Sequence, residues 1–473
     1  MRKTKIICTL GPAVDDVDAL RALIEGGMNA ARFNFSHGDH KSHLSMLEKL
    51  RRAQEGFSQP IATILDTRGP EIRIRAFSTP SITLNEGDGF ILTTGDVTGN
   101  SGRVSVTYPL LHEELTAGCH VLIDDGLIDL AVEKILGQEI HCVVVAGGTL
   151  SANKSINIPS ISIPLPSLTD KDRADIRFGV EHGFDFIAAS FVRRASDVED
   201  IRAALKDYGG EGVHIIAKIE NREGVDNIDE IIRAADGVMV ARGDLGVEIP
   251  PYEIPGLQKT IIAKTAAQGK PVITATQMLE SMIKNPIPTR AEISDIANAV
   301  FDGTSCVMLS GETASGRYPI QSLGFMARTL EHTDNSIDYW ADFHKSSFEV
   351  GPTVENAISH SCCLTAMDLC ARAILAATAS GATARRISRF RPACPIVALT
   401  LTEQSRRQLA LSWGVYPYLS DVHPSTDELF DMCVARGIRE EFISPGDVVV
   451  ITAGVPMGQS GTTNLIKVQI AGE

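Results

Sequence analysis

Several common features are missing from this sequence of 473 residues, and each absence excludes a class of protein. No apolar run reaches the roughly 20 residues that a membrane-spanning helix needs, and the N-terminus lacks the apolar core of a signal peptide. None of the nine cysteines forms a C-x-x-C pair, and their number is odd, so we expect reduced thiols rather than a disulfide framework. These features predict a cytoplasmic protein with no membrane partner.

Positive charge is also scarce. The chain has 44 Lys and Arg residues against 59 Asp and Glu residues, for a formal net charge of -15, which disfavours binding to nucleic acid. An anionic substrate must then be held by a few local basic groups. The sequence has no GxxxxGK[ST] motif, no Rossmann GxGxxG after a first strand and no protein-kinase loop signature, so any nucleotide must be held in another way.

Strand-like and helical patterns alternate at the start of the chain. Apolar runs at residues 5–10, 30–35 and 61–65 each lead into a polar loop, and helical patterns separate them. Because parallel strands need crossover helices, this alternation predicts a parallel sheet or barrel.

The alternation breaks at Gly69-Pro70. From there to about Pro166 the sequence consists of short β segments and turns, including a hairpin signal at Asp125-Gly126. Alternation then resumes, which gives eight strand-and-helix units, three before an all-β insert and five after it. The predicted fold is therefore a (β/α)₈ TIM barrel that carries an inserted all-β domain.

The remainder of the chain forms a further α/β segment. A polar stretch from Trp340 to Pro352 reads as a linker that precedes it. The length of the chain is consistent with about three domains of roughly 150 residues each. The predicted boundaries are 1–69 and 167–340 for the barrel, 70–166 for the inserted β-barrel and 353–473 for the C-terminal α/β domain.

The strongest chemical signal is the pair Lys218 and Glu220 at the end of an apolar strand. Residues two apart on a strand point to the same face, so the ammonium and the carboxylate lie side by side. The next two strands run into Arg242-Gly243-Asp244 and Ala275-Thr276-Gln277. Polar groups at the ends of apolar strands are typical of the catalytic face of a (β/α)₈ barrel. A Lys beside two carboxylates suits a divalent cation and a developing anion; an ion pair at the barrel rim and plain helix caps are the alternatives.

Two earlier strand ends carry oxygen atoms. Arg32, Asn34 and Ser36 share one strand face, and Asp66 and Thr67 follow the third strand. Carboxylate, amide and hydroxyl oxygens suit a hard cation. The alternatives are a polar strand-to-helix turn and an Asp-Thr cap.

The last segment contains a candidate anion site. The run from Thr378 to Thr383 follows a strand and opens a helix, and a second glycine-bearing loop spans Gly454 to Thr463. Hydroxyls and backbone N–H groups at a helix N-terminus bind anions. An ordinary capped loop is the alternative.

Taken in order, these motifs resemble those of pyruvate kinase, and the resemblance covers nearly the whole chain. It implies transfer of a phosphoryl group from phosphoenolpyruvate to ADP, giving pyruvate and ATP, with Mg²⁺ (or Mn²⁺) and K⁺ as cofactors. It also implies that the insert is a lid, that the C-terminal domain is regulatory and that the chain forms a homotetramer. The stretches that carry the resemblance are 5–12, 32–37, 66–73, 217–221, 241–247, 275–282, 289–292 and 308–314.

The resemblance implies roles for Lys218 and Glu220 and for the residues at the next two strand ends. Lys218 matches the lysine that stabilises the transferring phosphoryl group and the enolate oxygen. Glu220 and Asp244 match the magnesium ligands, and Gly243 and Asp244 line the substrate. Thr276 matches the hydroxyl beside the enolate carbon, which belongs to a route for the proton.

Further roles follow for the earlier strand ends and the insert. Arg32 matches a contact to the substrate phosphate and counts with Lys218 and Thr276 as catalytic. Arg73 and Lys154, with Asn34, match contacts to the nucleotide, and Glu71 matches an acidic residue of potassium-dependent members. The residues that match the potassium ligands are Asn34, Ser36, Asp66 and Thr67.

The sequence also departs from the family pattern. Arg68 stands where many members have Lys, Ser305 where Asp is frequent, and Ser155 and Ser160 where Gly is common. The loop 455–460 has no basic residue, which argues against fructose 1,6-bisphosphate as an effector and leaves a sugar monophosphate, AMP or no effector. The residues expected to hold a phosphorylated effector are Thr378, Ser380, Gly381 and Thr383.

Three hypotheses from different classes remain at this point. They are an active pyruvate kinase, a metal-dependent barrel lyase or aldolase acting on a pyruvate enolate, and a catalytically silent protein that binds a phosphorylated metabolite. The β insert and the oxygen-rich strand ends favour the first over the second. The presence of Lys218, Glu220, Asp244 and Thr276 argues against the third.

Overall fold

Eight parallel strands close a barrel in this computed structural model, which describes residues 1–159, 161, 163–345, 351–421, 425–456 and 462–472. Each strand pairs with its neighbours in sequence, and the first pairs with the eighth. Nearly every strand residue is buried, as expected for a parallel sheet covered by helices. The strands are Lys5–Thr9, Ala30–Asn34, Ala62–Asp66, Phe186–Ala189, His214–Ile219, Gly237–Ala241, Val272–Ala275 and Cys306–Leu309.

Helices surround the barrel, and polar caps fix where several of them begin. The Thr169 and Thr289 hydroxyls each accept a hydrogen bond from the third residue of the helix that follows. The α-helices are Val17–Glu25, His40–Gln54, Asp170–Glu181, Ala195–Asp207, Arg222–Asp226, Ile228–Ala234, Arg242–Glu248, Ile254–Ala267, Arg290–Phe301, Gly311–Ala314 and Pro319–Ser336, with 3₁₀ turns at Pro12–Val14 and Glu280–Ile283.

The insert between the third and fourth barrel strands is an all-β unit with a core of its own. Asp124, Asp125 and Gly126 all have positive φ in the predicted Asp125-Gly126 hairpin. The insert also contains the short helix Leu111–Glu114. Its larger sheet has the order Ile72–Arg73, Ser155–Asn157, His120–Ile123, Ile128–Leu136, Glu139–Ala146, Gly89–Thr93 and Arg103–Ser105, and a second sheet pairs Ser81–Leu84 with Gly148–Ser151.

The C-terminal unit is a five-stranded sheet with helices packed against it. Four strands are parallel, and the last is antiparallel to its neighbour. The strands, in sheet order, are Val415–Leu419, Ile396–Thr400, Ala373–Ala377, Val448–Gly454 and Thr463–Ile470; the helices are Val354–Asp368, Ala382–Arg389, Glu403–Leu409 and Thr426–Arg439.

One prediction about chain organisation was wrong. The stretch from Trp340 to Pro352 was expected to be a linker, but its first six residues lie in the helix Tyr339–Lys345. This helix buries Tyr339 and Phe343 against the C-terminal domain and the barrel, so two aromatic anchors outweigh a polar composition. The rest of the expected linker falls partly outside the described residues.

The C-terminal domain closes the end of the barrel at which the strands begin. Ala410 and Leu411 are buried in one apolar cluster with residues from all eight strands. The Arg407 Nε donates to Asp185 Oδ1 at 2.8 Å, next to the fourth strand. The (β/α)₈ barrel, the all-β insert and the C-terminal α/β domain thus confirm the predicted fold class. Among the described helices, none combines the length and the apolar character needed to cross a membrane.

Candidate active site

The predicted pair Lys218 and Glu220 lies in contact at the carboxyl end of the fifth strand. The Lys218 Nζ lies 2.9 Å from Glu220 Oε1 and 3.1 Å from Asp66 Oδ1, and it donates to Ser190 Oγ at 2.7 Å. The side chains of both Asp66 and Glu220 are only 1% exposed, so water contributes little to balancing their charge. The ammonium is therefore held by two carboxylates and a hydroxyl from three different strand ends.

Charge pairing controls ionisation at this centre. Burial lowers the pKa of Lys218, but the charges of Asp66 and Glu220 outweigh burial and raise that pKa well above its usual range. Burial likewise opposes the ionised form of Asp66, yet Arg32 and Lys218 hold its pKa below the usual value. At neutral pH Lys218 is therefore a fixed positive charge and not a proton donor.

Glu220 and Asp244 form a pair of carboxylates on neighbouring strand ends. Burial raises the pKa of Glu220 to about 7; Lys218 opposes this increase, and the charge of Asp244 adds to it. The Phe191 N–H donates to Glu220 Oε2 at 2.6 Å, which leaves Oε1 facing Lys218. A divalent cation between the two carboxylates would favour their ionised forms, because it supplies the charge that burial removes.

Thr276 lies just beyond the seventh strand in a strained conformation. Its φ is +64° and that of Gln277 is +54°, a region that a β-branched residue rarely adopts. The Arg242 guanidinium, paired with Asp295 at 2.7 Å, donates to the Thr276 carbonyl at 2.7 Å and holds this turn. The Thr276 hydroxyl accepts from the Gly243 N–H at 2.8 Å. The structure therefore brings Thr276 and Gly243 together beside Asp244.

The oxygen atoms predicted to bind potassium lie on the neighbouring second and third strand ends. Asn34 pairs in register with Asp66, and Asn34 Oδ1 accepts from the Ser36 N–H at 3.1 Å. The Arg32 Nε donates to Asp66 Oδ2 at 2.6 Å, which connects this cluster to the Lys218 centre. Thr67 follows directly, and its carbonyl accepts from Ser190 Oγ at 2.7 Å. Amide, hydroxyl, carboxylate and carbonyl oxygens are a donor set that suits a hard monovalent cation.

The basic residues assigned to nucleotide binding lie in the insert. Arg73 Nη2 lies 2.5 Å from Glu71 Oε2, and Arg73 Nη1 donates to the Asn153 carbonyl at 2.6 Å. Lys154 Nζ is 2.8 Å from Asp124 Oδ1. Arg73 ends one strand and Lys154 directly precedes the strand paired with it, and the Ile74 N–H donates to the Lys154 carbonyl. They share one edge of the insert, and each already has a carboxylate partner.

The predicted effector residues form the loop that begins the C-terminal domain's helix Ala382–Arg389. Gly381 precedes this helix with φ +80°, and the Arg385 Nη2 donates to the Ser380 carbonyl at 3.0 Å. Thr378 begins this loop directly after the strand Ala373–Ala377, but the buried Thr383 hydroxyl, in the first turn of the helix, is hydrogen-bonded to Thr463 Oγ1 at 2.6 Å. The loop thus gathers Thr378, Ser380 and Gly381, whereas Thr383 already has a protein partner. Residues 457–461, half of the second glycine-bearing loop, lie outside the described residues.

Comparison with known proteins identifies the family. Residues 1–323 match the family model described as "Pyruvate kinase, barrel domain", and residues 356–469 match "Pyruvate kinase, alpha/beta domain". The chain belongs to the pyruvate kinase family. It is therefore a phosphotransferase, and the predicted family is confirmed.

Individual relatives agree with this assignment over the full length of the chain. A pyruvate kinase of Geobacillus stearothermophilus is 49% identical over 471 residues, which is 99% of this chain and 80% of that protein. One from Clostridium acetobutylicum is 46% identical over 99% of this chain and 100% of the relative. A crystal structure of a pyruvate kinase from Cryptosporidium parvum superposes with a TM-score of 0.94 at 41% identity, covering 99% of this chain and 96% of the other.

Sequence reasoning missed several residues of this pyruvate kinase site. Ser190, Arg242 and Asp295 hold Lys218 and Thr276, and none was assigned a role. The buried Glu312 accepts from the N–H groups of Leu279 at 3.0 Å and Ser310 at 2.7 Å, which joins the loops after the last two strands. Ser190 and Arg242 both stand directly after apolar strands, so the position that revealed Lys218 could have revealed them as well.

Proposed function

We propose that this pyruvate kinase transfers the phosphoryl group of phosphoenolpyruvate to ADP, with protonation of the enolate that remains. The observation that carries the proposal is the Lys218 ammonium, which is buried between Asp66 and Glu220 at the carboxyl end of the barrel. Phosphoryl transfer depends on positioning and on neutralising charge more than on covalent chemistry. A buried positive charge whose pKa is raised suits a transition state that carries negative charge.

Each substrate group has a candidate partner among the chain's own residues. Lys218 and Arg32 would neutralise the transferring phosphoryl group and the enolate oxygen. Gly243 and Asp244 would line the substrate, and the Thr276 hydroxyl would stand beside the enolate carbon. Because Lys218 stays protonated, its role is electrostatic, and the proton for the enolate would arrive through the side of the site that holds Thr276.

Two cation sites complete the proposal. Glu220 and Asp244 would hold Mg²⁺ or Mn²⁺, and Asn34, Ser36, Asp66 and Thr67 would hold K⁺. Two carboxylates are a usual protein share for magnesium, which leaves its other positions to water and substrate oxygens. When bound, the cations would supply positive charge that an acidic chain otherwise lacks at this site.

The insert is proposed to act as a lid over the nucleotide. Arg73 and Lys154 would exchange their present carboxylate partners for nucleotide phosphates, and Asn34 would contact the nucleotide from the barrel. Closure would exclude water, so the phosphoryl group would reach ADP rather than be hydrolysed.

We also propose how the chain assembles and how it is regulated, as the family resemblance implies. We propose a cytoplasmic homotetramer in which Thr378, Ser380, Gly381 and Thr383 contact a phosphorylated effector. Gly381 and the helix after it support an anion at this loop, since backbone N–H groups are exposed at a helix N-terminus. The Thr383 hydroxyl would first have to leave Thr463.

The deciding experiment is an assay that couples pyruvate formation to lactate dehydrogenase, with ADP and phosphoenolpyruvate as substrates. It should be run in sodium-free buffer with Mg²⁺, with and without K⁺ at constant ionic strength, and with a panel of sugar phosphates and AMP. We expect turnover that requires ADP and rises strongly with K⁺. ADP-independent pyruvate release would indicate a lyase or hydrolase instead, and equal rates with and without K⁺ would contradict the potassium site.

A further inference from the structure

Ser190 is the residue that connects the Lys218 centre with the oxygen cluster of the third strand. It follows the fourth strand and is 8% exposed. Its Oγ lies 2.7 Å from Lys218 Nζ, 2.7 Å from the Thr67 carbonyl oxygen and 3.4 Å from Asp66 Oδ1. One hydroxyl thus touches the catalytic ammonium and two of the proposed potassium ligands.

The hydrogen-bond directions at Ser190 are fixed by its partners. An ammonium group can only donate hydrogen bonds, so the Ser190 oxygen accepts one from Lys218. The single hydroxyl hydrogen then donates to the Thr67 carbonyl, the nearer of its two acceptors. The Ser190 N–H donates to Thr67 Oγ1 at 3.2 Å, which ties the Ser190 backbone to the Thr67 side chain. A displacement of the Thr67 carbonyl would therefore also displace the Ser190 hydroxyl, which is hydrogen-bonded to Lys218.

The next residue extends the connection to the proposed magnesium ligand. Phe191 has φ +56°, which turns its N–H toward Glu220 Oε2 at 2.6 Å. Gly69, the last residue before the insert, packs against this turn: a Cβ at Gly69 would lie 2.9 Å from Ser190 Cβ and from Phe191 Cδ2. The Ser190-Phe191 turn is thus confined between the barrel and the start of the insert.

We propose that Ser190 is a positioning residue that couples the monovalent-cation site to Lys218. A cation bound by Asp66 and Thr67 fixes the positions of their oxygens. Through its hydrogen bonds to the Thr67 carbonyl and to Lys218, the Ser190 hydroxyl then fixes the position of the Lys218 ammonium relative to the cation. Without the hydroxyl, Lys218 would remain charged between two carboxylates, but its position would no longer depend on the cation. This inference rests on the proposed function and deepens its potassium site.

The test compares Ser190→Ala with Ser190→Thr in the full-length chain. Thr63→Val is the matched control, because Thr63 is also buried and its hydroxyl also bonds an aspartate, Asp185, at 2.9 Å, but at the opposite end of the barrel. Two quantities are measured: kcat and its potassium dependence in the coupled assay, and the shift in melting temperature when KCl replaces tetramethylammonium chloride without substrates. The second reports cation binding without turnover.

For Ser190→Ala we expect the potassium concentration at half-activation to rise about tenfold, the scale of losing one hydrogen bond to a charged group. The ratio of kcat with and without K⁺ should fall toward one, and the potassium-dependent melting shift should shrink. Ser190→Thr, which keeps the hydroxyl, should retain most of both effects. Thr63→Val should lower the melting temperature but leave the potassium response unchanged.

The outcomes separate this inference from the proposed function. If the unmodified chain is inactive with phosphoenolpyruvate and ADP, the proposed function is wrong. If it is active but its rate does not depend on K⁺, the proposed potassium site is wrong. If the unmodified chain is active and potassium-dependent but Ser190→Ala keeps the same half-activation and melting shift, Ser190 does not couple the two sites. Loss of the potassium response in Thr63→Val as well would reduce Ser190 to a general structural role.

Discussion

The two ends of the barrel both bury charged groups, but they use them differently. At the end where strands begin, the Asp185 carboxylate accepts from the Thr63 N–H and hydroxyl and from Arg407, and the C-terminal domain covers the pair. At the end where strands finish, Lys218 contacts two carboxylates and one hydroxyl that belong to three strand ends. The first set of contacts is complete within the protein. The second leaves carboxylates that a cation and a substrate can complete.

The buried charges at the two ends of the barrel therefore serve different purposes: those at one end stabilise the fold, and those at the other are available for catalysis. A buried ion pair whose hydrogen bonds are all satisfied holds two parts of the fold together. Removing one partner leaves an uncompensated buried charge and lowers stability. A charged group whose partners come from several loops can instead meet a ligand at the carboxyl face, where barrel enzymes place their sites. Equivalent changes at the two ends should therefore affect different measurements.

The largest expected effect is on activity, from Lys218→Met. Loss of the ammonium removes the positive charge nearest to the proposed transferring group, so kcat should fall by at least ~10²–10³-fold, the scale of one transition-state donor. Circular dichroism and the melting temperature should show that the variant stays folded. If the variant turned over at a rate close to that of the unmodified chain, Lys218 would have no role in catalysis.

A lysine at the other end of the barrel provides the matched control. Lys270 Nζ donates to the carbonyls of Ile232 at 2.6 Å and Ala235 at 2.5 Å, just before the seventh strand. Lys270→Met removes the same charge from the barrel and should lower the melting temperature while leaving kcat within about threefold. If Lys218→Met and Lys270→Met lost activity equally, the claim that only the carboxyl end of the barrel serves catalysis would be wrong.

The next largest effect concerns stability, from Arg407→Ala. Breaking a buried pair costs about 3–5 kcal/mol, and because the Arg407 side chain is 26% exposed we expect about 2–3 kcal/mol here. Urea unfolding measures this change, and kcat of the folded fraction should be nearly unaffected. Arg177→Ala, which removes the exposed pair with Glu181, is the control and should leave the urea midpoint in place.

The smallest effect is a pH dependence at the carboxyl end. Because burial raises the pKa of Glu220 to about 7, the carboxyl group is mostly protonated below that pH and mostly ionised above it. A divalent cation must displace the proton, so affinity falls as pH falls. Calorimetric titration of the chain with Mn²⁺ should give a Kd about tenfold weaker at pH 6 than at pH 8. Equal values would show that Glu220 is already ionised at pH 6.

The barrel could be predicted because its signals are local. Apolar strands alternate with capped helices, and the predicted run 30–35 matches the strand Ala30–Asn34 to within one residue. The contact between Lys218 and Glu220 was also predictable, since residues two apart on a strand share a face. Phe33 and Phe35 are buried opposite Arg32 and Asn34 for the same reason.

The missed residues act across long separations in sequence. Ser190 meets Thr67 at the ends of two strands that are neighbours in the barrel but distant in sequence, and Arg242 meets Asp295 on the helix Arg290–Phe301. Such pairs follow from the closure of the barrel, which brings loops from distant segments together, and no local pattern encodes them. The helix Tyr339–Lys345 was missed because its stability comes from two buried aromatic side chains rather than from a helical pattern along its length.

The apolar cluster at the base of the barrel has a consequence for how the chain folds. Leu411 lies in one apolar cluster with strand residues as early in the chain as Ile7, and the Cys306 thiol donates to the Leu411 carbonyl. During synthesis the eight strands are therefore complete about a hundred residues before the group that seals their base emerges. Because long-range contacts close large loops, their formation is slow. The barrel should reach its final packing as one of the last events of folding, together with the C-terminal domain.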